Sequence, residues 1–119
     1  PPVSYEEISD REDSEASASI RARVLGARKI QTERFTRHPQ VHCNAHMGSR
    51  DIKRYCALST ESRQLLKVAI VRLGLSARAY TRILKVARTI ADLDQKEAIL
   101  SFHISEAIHY RNLDRQIGI

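Results

Sequence analysis

Between Thr60 and Leu93 the apolar residues recur at intervals of three and four. Leu65, Leu66, Ala69, Ile70 and Leu73 form one series, and Ala79, Tyr80, Ile83, Leu84, Ala87, Ile90 and Ala91 form a second. That spacing puts each series on one face of a helix and leaves the polar residues on the other. Gly74 stands where a helix ends in a left-handed turn. Thr60 and Ser76 stand at the positions of N-caps. Two helices joined by a tight turn cannot bury these stripes alone, so the rest of the chain must supply further helical faces.

It does so. Ile20, Val24, Ala27, Ile30 or Gln31, and Phe35 mark a helix over about 15–37, capped by Ser14 with Glu15 in its first turn. His38-Pro39 ends it, because the residue before a proline leaves the helical region. Gly26 within it costs about 1 kcal/mol relative to alanine, which predicts a close approach at that point. Residues 51–58 form a short helix with Ile52, Tyr55 and Cys56 inward. Ser101 caps a final short helix with Ile104, Ala107 and Ile108 inward, and Ile99 and Leu100 pack back on it as a staple. No segment alternates with period two. The expected class is all-α, a small helical bundle of four main helices plus a short one. Its domain covers 14–119, with a flexible loop at 38–50 and an extended or disordered connection at 1–13.

The charge is unevenly placed. Residues 1–15 carry six acids and one base, a local −5, and residues 16–119 carry +11. The longest stretch without a charged side chain, 38–49, is polar and His-rich, so no membrane span is expected. The acidic start is unlike a signal peptide. Two cysteines, Cys43 and Cys56, make no disulfide framework. The expected setting is cytoplasmic. A chain that opens on Pro1-Pro2 reads as a piece of a longer protein. GxxxxGK[ST], GxGxxG, GxSxG, HExxH and CxxC are all absent, so the chain alone is not expected to be an enzyme.

Three groups of residues bear on chemistry. Arg78 falls at the second position of the helix that Ser76 caps, where a cation opposes the helix dipole by about 0.3–1 kcal/mol. Arg82 follows one turn later. Free N–H groups and an arginine together suit a phosphate; the plainer alternative is two solvated arginines. His42, Cys43, His46 and Cys56 are of metal-ligating type, but their spacing is wrong for a zinc finger and Cys56 suits the core better. No metal site is expected, and His103 and His109 read as surface or capping residues. The bases themselves are the third group. Residues 16–37 carry six against one acid, and 61–92 carry seven against two. A basic helical module that binds nucleic acid, or one that docks a protein, is the alternative function. The spread of charge over several faces and a shortage of aromatics for stacking count against nucleic acid.

The run Leu75-Ser-Ala-Arg-Ala-Tyr-Thr-Arg-Ile-Leu-Lys-Val-Ala-Arg-Thr-Ile-Ala-Asp-Leu93 resembles the C-terminal lid of magnesium-chelatase-like AAA+ ATPases of the ComM/YifB type. Ser19-Ile-Arg-Ala-Arg-Val24 with Ala27-Arg28 and Gln31, Asn44-Ala45 with Cys56-Ala-Leu58, and His103-Ile-Ser-Glu-Ala-Ile-His-Tyr-Arg111 with Leu113-Asp114 resemble further parts of that lid in the same order. The resemblance implies a helical lid that folds over ATP and magnesium held by an N-terminal core carrying the Walker motifs. It implies that Arg78 is the sensor-2 arginine, contacting the γ-phosphate, with Arg82 and Arg28 as supporting or inter-subunit contacts. It further implies a homo-oligomeric ring, usually a hexamer, in a DNA-processing, competence-related ATPase. Without the core, this chain is expected neither to hydrolyse ATP nor to bind it well.

Overall fold

The computed structural model describes the backbone of residues 5–117 and the side-chain surroundings of 11, 14 and 16–111. Five α-helices and one 3-10 turn follow in order: α1 (Tyr5–Arg34), the turn (Asn44–His46), α2 (Ser49–Tyr55), α3 (Thr60–Leu73), α4 (Ala77–Leu93) and α5 (Ser101–Ile117). There is no strand among the described residues; Leu58 and Ile99 pair through one isolated parallel bridge, tying the approach to α3 to the approach to α5. The all-α class and the four long helices plus a short one are as the periodicity predicts. No helix among the described residues is long and apolar enough to cross a membrane.

The core lies around α4. Ile83, Leu84, Ala87 and Ala91 are buried, and Phe35, Val41, Met47, Cys56, Leu66, Ile99, Ile104 and Ala107 close around them from every other part of the body. The small residues Ala87 and Ala91 are what let neighbouring helices approach α4 closely. Ser76 caps α4, its side chain accepting from the Ala79 N–H at 3.2 Å. Gly74 ends α3 with φ of 60°, a left-handed conformation that suits glycine. Gly26 meets its predicted close approach: a Cβ there would sit 3.1 Å from Gln95 Nε2.

Several expectations need correction. α1 begins at Tyr5 rather than near residue 15, so an extended connection over 5–13 is not what the structure has; residues 1–4 of that connection lie outside the described residues. No glycine or proline interrupts positions 3–25, and acids gathered at a helix N-terminus agree with its dipole. α1 also stops at Arg34, before 37. The cap of α3 is Ser59, whose side chain accepts from the Ser62 N–H, and not Thr60. The 38–50 segment, expected as a flexible loop, contributes to the packed body. Val41, Asn44 and Met47 are buried in it, and Asp51 reaches back to accept from the Gly48 N–H at 3.1 Å. α5 runs for 17 residues and is not short. Its start is capped by His103 and not by Ser101, the Leu100 N–H donating to His103 Nδ1 at 2.9 Å. Nδ1 is therefore unprotonated, and Nε2 carries the proton toward Asp94 Oδ2 at 3.0 Å. His103 is wholly buried, which rules out the surface reading. Tyr80, read as an inward residue of α4, is exposed.

A polar knot sits inside this apolar shell. Arg34 donates through Nη1 to Asp92 Oδ2 at 2.8 Å and through Nη2 to Asp92 Oδ1 at 2.7 Å. Arg88 Nη2 lies 3.2 Å from the same Oδ1. Asn44 Nδ2 donates to Asp92 Oδ2 at 2.8 Å, while its Oδ1 accepts from Arg34 at 2.9 Å and its backbone N–H donates to Gln31 Oε1 at 2.9 Å. The second half of Arg88 is spent on backbone: Nη1 donates to the carbonyls of Glu97 and Tyr55, and Nη2 to that of Lys96. Burial lowers the Arg88 pKa from its ordinary value, and Asp92 is the largest influence opposing that shift. Removing one partner of a buried ion pair leaves an uncompensated charge. Asp92→Ala is therefore expected to destabilise the domain by about 3–5 kcal/mol, read as a drop in urea midpoint at unchanged slope. A loss below about 1 kcal/mol would show that the knot is not holding the fold together.

Candidate functional site

α4 offers its N-terminus to solvent. The first helical residue is Ala77, Arg78 is second, and the first turn holds no acid. Ser76 meets the Ala79 N–H by its side chain and the Tyr80 N–H by its carbonyl. The earlier N–H groups, those of Ala77 and Arg78, belong to the set that a helix cannot satisfy internally. Arg78 and Arg82 are exposed and one turn apart on the same helix. No hydrogen bond or ion pair within the described residues holds either one. Arg28, on α1, is likewise exposed. Two guanidinium groups and unmet backbone donors at the positive end of a helix dipole make an anion-receiving surface.

The rigidity behind this surface comes from the far end of the same helix. Asp92 and Arg88, in the last two turns of α4, are bound to α1 and to the 94–98 turn through the polar knot. Arg78 therefore rides on a helix whose other end is fixed, while its own tip is free. In the sequence Arg88 and Asp92 are simply two of the charges of residues 61–92. Their burial was missed because each looks like an ordinary surface residue until Arg34 and Asn44 are brought beside them. The one available signal was their i, i+4 spacing on the apolar side of α4.

The metal-type residues do not converge. Among the described residues no group of three or more His, Cys, Asp or Glu side chains is arranged to hold an ion. His42 and His46 are exposed, Cys43 is half-buried, and Cys56 is buried in the core. Burial pushes the Cys56 thiol up from 9.0 to about 11, with Arg88 the largest influence pulling the other way. A raised folded value means that Cys56 contributes its full stabilisation below pH 9 and loses it as pH climbs toward 11. At pH 8 a thiol raised by two units carries roughly 100-fold less thiolate. Iodoacetamide at that pH should label Cys43 first and leave Cys56 until the domain unfolds. Equal labelling rates under native conditions would contradict the burial.

Phe102 and Tyr110 on α5 are exposed along with Tyr80 on α4, so stacking side chains are available after all. The bases remain distributed over α1, α3 and α4.

The fold and this surface define a class: an all-α domain built on one central helix, with an arginine-bearing N-terminus left open for an anionic group. The chain belongs to the family described as magnesium chelatase, subunit ChlI C-terminal, whose model matches residues 14–111. It is thus a C-terminal domain of magnesium-chelatase-like AAA+ type. It is 44% identical over 101 residues to the uncharacterized protein YifB of Escherichia coli strain K12, covering 85% of this chain and 19% of that protein. It is 43% identical over 115 residues to competence protein ComM of Haemophilus influenzae, covering 97% of this chain and 21% of that protein. YifB of Salmonella typhimurium is 42% identical over 101 residues, covering 85% of this chain and 19% of that protein. The chain spans about a fifth of the length of the curated relatives it matches.

Arg78 opposes the dipole of the helix it begins. Replacing it with alanine, a better helix former free of that charge, should raise stability by about 0.3–1 kcal/mol at low salt. Chemical denaturation of the two forms checks this. A clear loss of stability would mean that Arg78 has a structural partner and is not kept free for a ligand.

Proposed function

We propose that this domain is the lid of an AAA+ ATPase. It closes over ATP and magnesium bound by the N-terminal core of the same protein, and Arg78 is its sensor-2 arginine. The observation that carries this reading is an exposed arginine at the second position of an N-capped helix with no acid in its first turn. A cation there is unfavourable for the helix and favourable for an anion placed against it. Arginine is the fitting residue, since its planar fork matches phosphate oxygens and does not lose its charge.

The chemistry divides accordingly. The core supplies the nucleotide and metal site, and magnesium there offsets charge on the phosphates. The lid supplies Arg78, which holds the γ-phosphate and gains most as charge builds on it during transfer. Arg82, one turn further, and Arg28, on α1, extend the same positive surface toward the phosphates or a neighbouring subunit. Because α4 is fixed at its Asp92 end, a pull on Arg78 turns the lid as one body and not one side chain. This links nucleotide state to lid angle. In this reading the parent works in the cytoplasm as a homo-oligomeric ring, a hexamer, and processes DNA. The printed name of the Haemophilus influenzae relative, a competence protein, is in keeping with that.

A second reading is direct binding of nucleic acid by the basic helices. The exposed Tyr80, between Arg78 and Arg82 in α4, favours it.

In the full-length protein, Arg78→Ala is expected to lower the ATPase rate on the order of 10²-fold or more. Arg78→Lys should recover little of it, because the ammonium lacks the fork. Normal turnover in Arg78→Ala would remove Arg78 from the site. Salt-dependent binding of single-stranded DNA by the isolated domain, lost in the same variant, would favour the second reading.

A further inference from the structure

A wide apolar groove runs between α4 and α5, with a volume of about 890 Å³. Val86, Ile90 and Leu93 form its α4 wall, and Glu106, His109 and Tyr110 its α5 wall. An exposed apolar surface of this kind usually marks a contact site. The groove is not electrically even. At one end a smaller recess shares Val86 and Tyr110 with it and adds Arg82 and Arg111. Lys85 lines the main groove nearby. Arg111 has a buried Nε with no hydrogen-bond partner among the described residues. The groove therefore calls for an occupant with apolar side chains and several carboxylates.

The chain carries such a segment itself. Residues 1–15 hold Glu6, Glu7, Asp10, Glu12, Asp13 and Glu15 against the single base Arg11, with Val3, Tyr5 and Ile8 among them. The helix that carries this segment leads away from the groove of its own copy. α1 is one continuous helix from Tyr5 to Arg34, and Arg23 passes the opposite end of the groove, beside Phe102 and Glu106. From Arg23 back to Tyr5 is roughly 27 Å of helix. Position 14 and every position from 16 to 25 is exposed, so apart from the edge contact of Arg23 this part of α1 is open to a neighbour. Ile20, Val24 and Leu25 are exposed with it and lengthen the apolar contact available to a neighbour.

We propose that the α4–α5 groove receives the acidic N-terminal segment of a second copy of this chain. The basic end meets the acids and the apolar wall meets the interspersed Val3, Tyr5 and Ile8. Opposite charge of this kind governs pairing and register more than affinity. A segment of one copy in the groove of the next is a heterologous contact, which closes into a ring when the rotation permits. The inference does not depend on Arg78 touching a nucleotide, and its test contains none.

Sedimentation velocity on the intact chain without nucleotide tests it. The wild type is expected to self-associate, and raised salt should weaken association at least about tenfold. Two variants should be monomeric yet keep the wild-type helical circular dichroism: the triple reversal Glu6→Lys, Glu7→Lys, Asp10→Lys, and Tyr110→Asp at an exposed position. A labelled synthetic peptide of residues 1–15 should bind wild-type chain and fail with Tyr110→Asp. A chain carrying Arg111→Glu should refuse the wild-type peptide and accept the charge-reversed one. A wild type that stays monomeric at about 100 µM, or association untouched by both variants, would overturn the proposal.

Discussion

The carboxylate of Asp92 is the point on which this domain turns. It takes a two-pronged contact from Arg34, a second arginine from one turn back, and an amide from Asn44. Each of these partners comes from a different place: α1, α4 and the 3-10 turn. Charges withdrawn from water are tolerated when they are paired and hydrogen-bonded, and in this set the buried Arg88 Nε is left without a partner among the described residues. Arg88 extends the arrangement by capturing carbonyls of Tyr55, Lys96 and Glu97. Those carbonyls lie at the C-terminal end of α2 and in the turn before α5, where no helical N–H meets them. An apolar core alone would hold α1 against α4 at many nearly equivalent offsets. The forked geometry of Arg34 on Asp92 accepts one.

That arrangement makes α4 a helix with two different ends. At the C-terminal end its charges are matched inside the body. At the N-terminal end the chain caps the backbone with Ser76 and then adds a cation that gains nothing from the helix. A structural role accounts for the first end and not for the second. The contrast is the physical basis for reading Arg78 as a residue aimed outward, on a lever anchored elsewhere.

Much of this was legible in the residue order. The 3.6-residue stripes, Gly74 and Ser76 locate α3 and α4, and Gly26 signals a close approach that Gln95 supplies. The position of Arg78 follows from counting from its cap. Other features were not legible because they depend on what packs against what. Ser59 and Thr60 are both good caps, and only the backbone turn selects Ser59. The 38–50 segment has no period, yet it contributes Asn44 and Met47 to the packed body. Arg88 and Asp92 read as surface charges, because nothing local reveals that Arg34, 58 residues before Asp92, lands on it. Tyr80 follows the apolar spacing of α4 but lies at the margin of its buried stripe.

The sequence by itself determined that the chain is helical, where its central helices begin and end, and that an arginine opens one of them. These are consequences of local backbone preference and of the three- and four-residue spacing of apolar side chains. Only the tertiary structure decided which charges are buried, which histidine caps a helix, and where an apolar groove is left open between α4 and α5. Those outcomes follow from contacts between residues distant in the chain. Their energies depend on burial and on partner geometry, and neither quantity exists until the helices have packed.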